Sequence, residues 1–426
     1  MTTFDCVIVG TGPAGLGAAF HLTDQNPDIN ILMIDKAKVS TGGLRNDCKM
    51  NFTYPVGFPA DTWNRQQAER FLPTVESYLS PDIMERHKLK VYKRRAERLN
   101  VKLLDIRQAH LGTDGGAKLI RKLTAEMKSR GVTFALEENV LNIDAEKRIM
   151  KTNIRELEYK NAIVAPGRSG FRFLQHIMAS NNIEFLDNMV DIGIRVETRI
   201  EHYSIVKDYY DPKFYFPGGV RTFCTNSGAA FVVREKYNGL HNEPYYSVNG
   251  HAFSTAHESN GLVNFALLKT VTLTKPLASG QEYAEMLGKQ AMLMGGGRPL
   301  MQRVGDFRLG KRSKAESFND DLFDFEPTLK QCTPGDISLS MPARILRAIW
   351  KSMKFLDTIV PGVLHPGTIM YYPEIKLYAN RPKFMDEHFQ AKQHLYLIGD
   401  GAGTSRGITA AWASGMRAVE GILTGE

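Results

Sequence analysis

The sequence predicts an α/β protein in which a Rossmann-type dinucleotide-binding fold is shared between the two chain ends, with an inserted region of mixed α+β character between them. Three observations carry this expectation. Residues 4–9, FDCVIV, form an apolar β-branched run followed by GTGPAGLGAAF, which switches to small residues at a helical period. Residues 29–34, INILMI, form a second strand ending in Asp35. Residues 394–403, HLYLIGDGAG, form a last strand, and the segment after it reads as a closing helix.

The size agrees with more than one structural unit, because single cores stop growing near ~250 to 300 residues and this chain has 426. Its 43% hydrophobic and 23% charged residues are those of an ordinary folded protein. No apolar run approaches the roughly 18 residues that span a bilayer, and the amino terminus enters a strand at once, so the expectation is a cytoplasmic protein without a membrane partner. The four cysteines, Cys6, Cys48, Cys224 and Cys332, lie far apart in no CxxC or CxxH pair, which argues for reduced thiols and against a metal site. A net charge of +8 favours anionic partners: a dinucleotide, an acidic substrate or a nucleic acid. The coarse pattern holds no nucleic-acid-binding module.

Within the first segment Gly10 permits the tight turn, Gly12 lets backbone approach a pyrophosphate, and Gly15 lets the helix pack on the strand, with Pro13 and Ala14 between them. Free amides at the helix start and the helix dipole then face the phosphates. The Asp35 carboxylate, followed by Lys36, is placed to accept from an adenosine ribose and disfavours a 2′-phosphate. In STGGLRNDCKMNF, Gly42 and Gly43 mark a second close approach, and Leu44, Arg45, Asp47 and Lys49 follow within reach of the pyrophosphate. Support of backbone or phosphate, without chemistry, is the competing reading for Arg45, Asp47 and Lys49.

Residues 161–170, NAIVAPGRSG, form a further strand with a glycine turn at Ala165, Pro166 and Gly167. Together with Gly399 and Asp400 after the last strand, this arrangement resembles the two-dinucleotide-binding-domain flavoproteins, related to the glutathione reductase and p-hydroxybenzoate hydroxylase groups. The resemblance implies FAD, held in a ββα-type three-layer domain of residues 1–170 and 373–426. It implies that Asp400 bonds the ribityl or phosphate region. It also implies that Gly407, Ile408 and Thr409, at the start of the last helix, face the flavin N1 and C2 carbonyl, where the dipole favours a reduced, anionic flavin. The segments GGLRNDCKMNF, DIGIRVE, RTFCTNSGAAFVV, VNGHAF, QRVGDFRLGKRS, PEIKLYANRP and LYLIGDGAGTSRGITAAWASG are similar to the bacterial and archaeal family called uncharacterised FAD-dependent dehydrogenases. Relatives often carry two cysteines in the RTFC segment; here Thr225 and Asn226 follow Cys224, so a dithiol relay is not implied.

Residues 171–372 read as the inserted substrate domain, with helices near 280–294 and 341–356. Its candidate catalytic residues are Cys224, as a redox thiol, a nucleophile or an inert buried cysteine, and His251, as a proton carrier beside His257 or a structural histidine. Lys49, from the loop after Gly43, is the third. Arg298, Arg303, Arg308, Lys311 and Arg312 are read on a loop that holds a substrate carboxylate or phosphate, or is simply solvated. No second GxGxxG with a terminal acid or arginine occurs in residues 171–380, so no dedicated nicotinamide domain is expected. The function expected is an FAD-dependent dehydrogenase or reductase that exchanges hydride with a small organic, anionic substrate, with transient NAD(P)H or with a protein electron carrier. Two other readings stay open: an NAD-using enzyme resembling thiamin thiazole synthases, and a flavin-dependent RNA-modification factor suggested by the positive charge.

Overall fold

The computed structural model describes residues 3–38, 42–45, 48–239, 243–253, 258–318, 323, 325–377 and 380–425. The chain divides into two compact units, the first made of Met1–Met84, Ile106–Leu186 and Ala379–Glu426, the second of Glu85–Asp105 and Asp187–Tyr378.

In the first unit the opening strand Thr3–Val9 pairs in parallel with Ile31–Asp35 on one side and with Glu156–Val164 on the other. The strand Leu395–Leu397, near the far end of the chain, then pairs in parallel with Glu156–Val164. Among the described residues the sheet has eight strands; Thr133–Leu136 and Gln390–Lys392 lie at the ends of its main path, and the hairpin Val140–Asp144 and Ile149–Thr152 branches from it. Side chains alternate between the two faces as pleating requires. Cys6, Ile8, Ile31 and Met33 join one core with the helices Pro13–Gln25, Gly112–Ser129 and Ile408–Thr424. Val7, Val9, Leu32 and Ile34 join another with the hairpin and the helix Phe171–Ser180. Burial on both faces is why these strands read as continuous apolar runs.

The first and last helices cross at their glycines. A Cβ on Gly17 would lie 2.3 Å from the Trp412 carbonyl oxygen, and one on Gly415 would lie 2.2 Å from that of Ala14. Only missing side chains let the backbones approach so closely.

The second unit is built on a mixed sheet, mostly antiparallel, in which Met189–Arg199 lies between Leu262–Thr272 and Ile369–Leu377. A hairpin, Ala230–Asn238 with Pro244–Ala252, stands apart from that sheet, and the helices Gly280–Met294 and Ala343–Ile359 belong to the same unit.

Several boundaries differ from the sequence expectation. The helix Phe171–Ser180 stays in the first unit because Leu174 and Ile177 complete the core on the hairpin side. Residues 85–105 join the second unit, where the short strand Lys102–Leu103 pairs with Phe214 and Tyr215. The segment read as a basic loop begins as a strand, Leu300–Arg303, paired with Ile369–Tyr372, and continues as the short helix Val304–Arg308. Gly42–Arg45 is likewise a short helix rather than a loop.

Candidate dinucleotide site

Three neighbouring parallel strands end in register, with Val9 opposite Val164 and Val164 opposite Leu397. Each is followed by a glycine-containing turn, crowded at Gly10 and Gly399 and open at Gly167, which has φ +62°. Gly10 has φ +100° and its N–H donates to the Ile34 carbonyl at 2.7 Å, while a Cβ there would lie 2.2 Å from the Ala165 oxygen. A Cβ on Gly15 would lie 2.0 Å from the Gly10 oxygen. Gly399, at φ +79°, sits with its Cβ position 3.1 Å from the Ala14 methyl. A Cβ on Gly401 would meet the Gly167 oxygen at 2.5 Å. Gly10, Ala14, Gly15, Ala165, Gly167 and Gly399 therefore meet at the carboxyl ends of adjacent strands, where open α/β sheets bind ligands.

The donor set suits phosphate. The helix Pro13–Gln25 starts with Gly12 as an extended N-cap and Pro13 in its first turn, and no side chain caps it. Its first-turn N–H groups have no intrahelical partner, and the dipole adds positive potential there.

Asp35 is held to the glycine turn. One carboxylate oxygen accepts from the Thr11 backbone N–H at 2.9 Å and from the Thr11 hydroxyl at 2.7 Å, and the other accepts from the Ala37 N–H at 3.0 Å. Lys36 and Arg45 are exposed, while Leu44 is fully buried in the core, so only its backbone is free to face a ligand. A Cβ on Gly43 would lie 3.1 Å from the Ile408 side chain, which brings the Gly42–Arg45 helix to the start of the last helix. Lys49 is half-buried on a strand opposite His110, and Pro166 is half-buried. Asp47 lies outside the described residues.

Asp400 organises the start of the last helix. Its carboxylate accepts from the Gly407 N–H at 3.1 and 3.2 Å, from the Ser405 hydroxyl at 2.9 Å and from Arg168 Nε at 3.3 Å. The Thr409 hydroxyl donates to the Asn51 carbonyl at 2.6 Å, so its side chain is engaged by the protein. Ile408 is buried.

The other sequence candidates divide between the units: Cys224 and His251 belong to the second, Lys49 to the first. Cys224 has a left-handed backbone, φ +47°, at a register irregularity between Phe223 and Asn226. A buried polar network holds its carbonyl. Arg195, wholly buried, donates from Nη1 to the Cys224 oxygen at 3.0 Å and to Asn264 Oδ1 at 2.8 Å, and clasps Glu374 through Nε at 2.7 Å and Nη2 at 2.8 Å. Burial alone would raise the Glu374 carboxyl; Arg195 and then Lys376 outweigh it and hold it below the usual carboxylate range. His251 is half-buried opposite Phe231 and edge-on to Phe253 at 5.0 Å. His257 lies outside the described residues.

Arg303 corrects the reading of a basic loop. It is 1% exposed, donates to the Ser317 and Gly367 carbonyls, and lies 4.9, 4.9 and 5.2 Å from the rings of Phe318, Phe323 and Phe325. Arg298, Arg308, Lys311 and Arg312 are exposed. The sequence reading missed Glu197, also buried, whose carboxylate accepts from the Tyr371 hydroxyl at 2.6 Å and from the Thr328 N–H and hydroxyl. The available signal was DIGIRVE itself, a strand with three ionisable residues, Asp191, Arg195 and Glu197, in an otherwise apolar run.

Residues 4–193 match the family model described as pyridine nucleotide-disulphide oxidoreductase. No curated protein matches the chain. Among solved structures, glycine oxidase from Bacillus cereus ATCC 14579 is 11% identical at a TM-score of 0.41, over 99% of this chain and 96% of that one. L-proline dehydrogenase from P. horikoshii is 11% identical at 0.42, over 100% and 94%. A flavoprotein/dehydrogenase from Cytophaga hutchinsonii is 12% identical at 0.39, over 100% and 80%. The doubly covered parallel sheet, its glycine turn and the family match together define the class: a flavin-dependent oxidoreductase built on a Rossmann-type fold. Among the described residues no helix is long and apolar enough to cross a membrane.

Proposed function

We propose that the first unit binds FAD non-covalently and that the chain is an FAD-dependent dehydrogenase or reductase, exchanging hydride between flavin N5 and a small organic, anionic substrate without a dedicated NAD(P)H domain. The observation that carries this reading is the convergence of the three glycine-containing turns after Val9, Val164 and Leu397 beside an uncapped helix start. A dinucleotide matches that pattern because its pyrophosphate needs both free amides and close backbone approach.

In this reading Gly10, Gly12 and Gly15 cradle the pyrophosphate and Asp35 accepts from the ribose. Asp400 serves by fixing Gly407 and the start of the last helix, whose remaining amides meet the flavin edge. Bound flavin supplies two-electron hydride chemistry; the protein supplies orientation and a proton path, for which Lys49, His251 and Cys224 are the candidates.

The test is to purify the protein, denature it and identify what is released. One FAD per chain and absorbance near ~450 nm are expected, with bleaching under anaerobic conditions by NADH, NADPH or a member of a metabolite panel. A colourless protein that releases NAD would replace this reading with the thiazole-synthase-like one. Bound flavin that no reductant reaches would reduce it to a binding module.

A further inference from the structure

The net charge of +8 is unevenly held. The second unit has 30 Lys and Arg against 23 Asp and Glu, whereas the first has 24 against 23. Most of that excess lies in residues 85–105, with eight basic residues against three acidic.

Two helices of this unit present the charge in rows. On Leu89–Glu97 and its C-cap, Lys90, Arg94 and Arg98 recur every fourth residue and are exposed, opposite buried Tyr92 and Ala96. On Ala343–Ile359, Arg344, Arg347, Lys351 and Lys354 share the exposed face, opposite buried Ile345, Ile349, Met353 and Leu356. The helices pack together, and Arg95 Nη1 donates to the Ile359 carbonyl at 3.1 Å.

Among the described residues none of these seven cations has an ion-pair partner, although Lys351 lies 5.5 Å from the Phe355 ring. The acids on these helices are Glu97 and Asp357, and Asp357 is engaged by the N–H groups of Gly362 and Leu364. At 1.5 Å rise per residue the rows run about 12 and 15 Å.

What lies between the charges selects the partner. On these helices Val91 is the exposed large hydrophobic residue, and no aromatic ring is exposed. A stable protein interface needs a desolvated apolar or aromatic centre. A membrane-surface helix needs apolar side chains to sink into lipid. Base recognition by stacking needs exposed rings. Point charges in rows, arginine among them, match a regular series of phosphates.

We propose that the rows on Leu89–Glu97 and Ala343–Ile359 form a docking face for the phosphate backbone of nucleic acid, engaged without base readout. This does not depend on the cofactor assignment.

Fluorescein-labelled 20-nucleotide poly(U) RNA, read by anisotropy with the full holoprotein, tests it. If all seven cations contact phosphates, affinity should fall roughly 10³-fold between 50 and 200 mM salt. Replacing Lys90, Arg94 and Arg98 with Gln should reduce the slope of log K against log salt by about 2, since each single-strand contact contributes about 0.7. The corresponding Gln variant of Arg344, Arg347, Lys351 and Lys354 should do so by about 3. Circular dichroism and gel filtration should match wild type, because every replaced side chain is exposed. Absence of binding at 50 mM salt, or unchanged slopes in both folded variants, overturns the proposal. Equal or tighter binding of poly-L-glutamate, or of phosphatidylserine vesicles, overturns it in favour of an acidic protein or a lipid surface.

Discussion

Thr11 and Asp35 are joined by a pair of hydrogen bonds: the backbone N–H and the hydroxyl of Thr11 both reach one carboxylate oxygen, at 2.9 and 2.7 Å. The residue inside the glycine turn is thus tied to the acid at the end of the neighbouring strand. Under the proposed function, one carboxylate would serve both the turn that approaches the phosphates and the position that accepts from a ribose. Asp35→Ala should remove both functions. Losing a charge-assisted bond costs about 1.5 to 3 kcal/mol, so FAD affinity should fall at least about tenfold while the far-ultraviolet spectrum stays unchanged. Bound flavin per chain after gel filtration is the measurement, and wild-type retention would remove Asp35 from the site.

The crossing of the first and last helices yields a second expectation. A methyl on Gly17 would overlap the Trp412 carbonyl, only 2.3 Å away, and neither backbone can yield without moving its helix from the sheet. Gly17→Ala should therefore cost about 1 to 3 kcal/mol, the usual range for overpacking, and should loosen the Gly407 end along with the glycine turn. Guanidinium unfolding and flavin content should fall together. A stable variant with empty sites, or a destabilised one with full sites, would separate the helix crossing from the cradle.

The first unit was legible because its signals are local. A glycine spacing, an apolar run and a terminal acid lie within about thirty residues of each other, and each is dictated by backbone geometry. Residues 85–105 were not legible as part of the second unit, since Lys102 and Leu103 find their partners at Phe214 and Tyr215, more than a hundred positions away. Arg303 misled for a related reason. Its charge argues for solvent, and the rings that cover it, those of Phe318, Phe323 and Phe325, follow no periodic pattern in the sequence that would announce them.

Two buried glutamates on adjacent strands should respond oppositely to pH. Glu374 is held below its ordinary value near 4.5, so it adds stability above that pH and loses it as pH falls through its folded value. Burial pushes Glu197 above 4.5, against the opposing pull of its bonds from Thr328 and Tyr371. The native state with Glu197 is thus favoured at low pH and loses stability as pH rises from about 4.5 toward the folded value, by up to ~1.4 kcal/mol per unit. Glu197→Gln keeps an acceptor for Tyr371 and cannot ionise. Its stability relative to wild type should climb between pH 4.5 and 7, and a constant offset across that range would contradict the burial argument.

Cys224 supplies the last expectation. Cys6, Cys48 and Cys332 are buried and Cys224 is half-exposed, so a disulfide reagent should modify one thiol per native chain and four after unfolding. Cys224→Ser should abolish the native reaction. The conformation that presents this thiol depends on Arg195 gripping the Cys224 carbonyl, and Gly250 lies against that grip. A Cβ on Gly250 would be 2.1 Å from Arg195 Nη1, 2.2 Å from Asn226 Nδ2 and 2.3 Å from Asn264 Oδ1. Gly250→Ala must therefore displace a buried cation that neutralises Glu374. Breaking such a pair costs roughly 3 to 5 kcal/mol, and with its carbonyl released, Cys224 should leave the left-handed region that a non-glycine residue adopts only under constraint. The variant should unfold at lower denaturant, and its native thiol should react at a changed rate. If stability falls while the Cys224 rate stays at the wild-type value, the network supports the sheet alone and does not position the thiol.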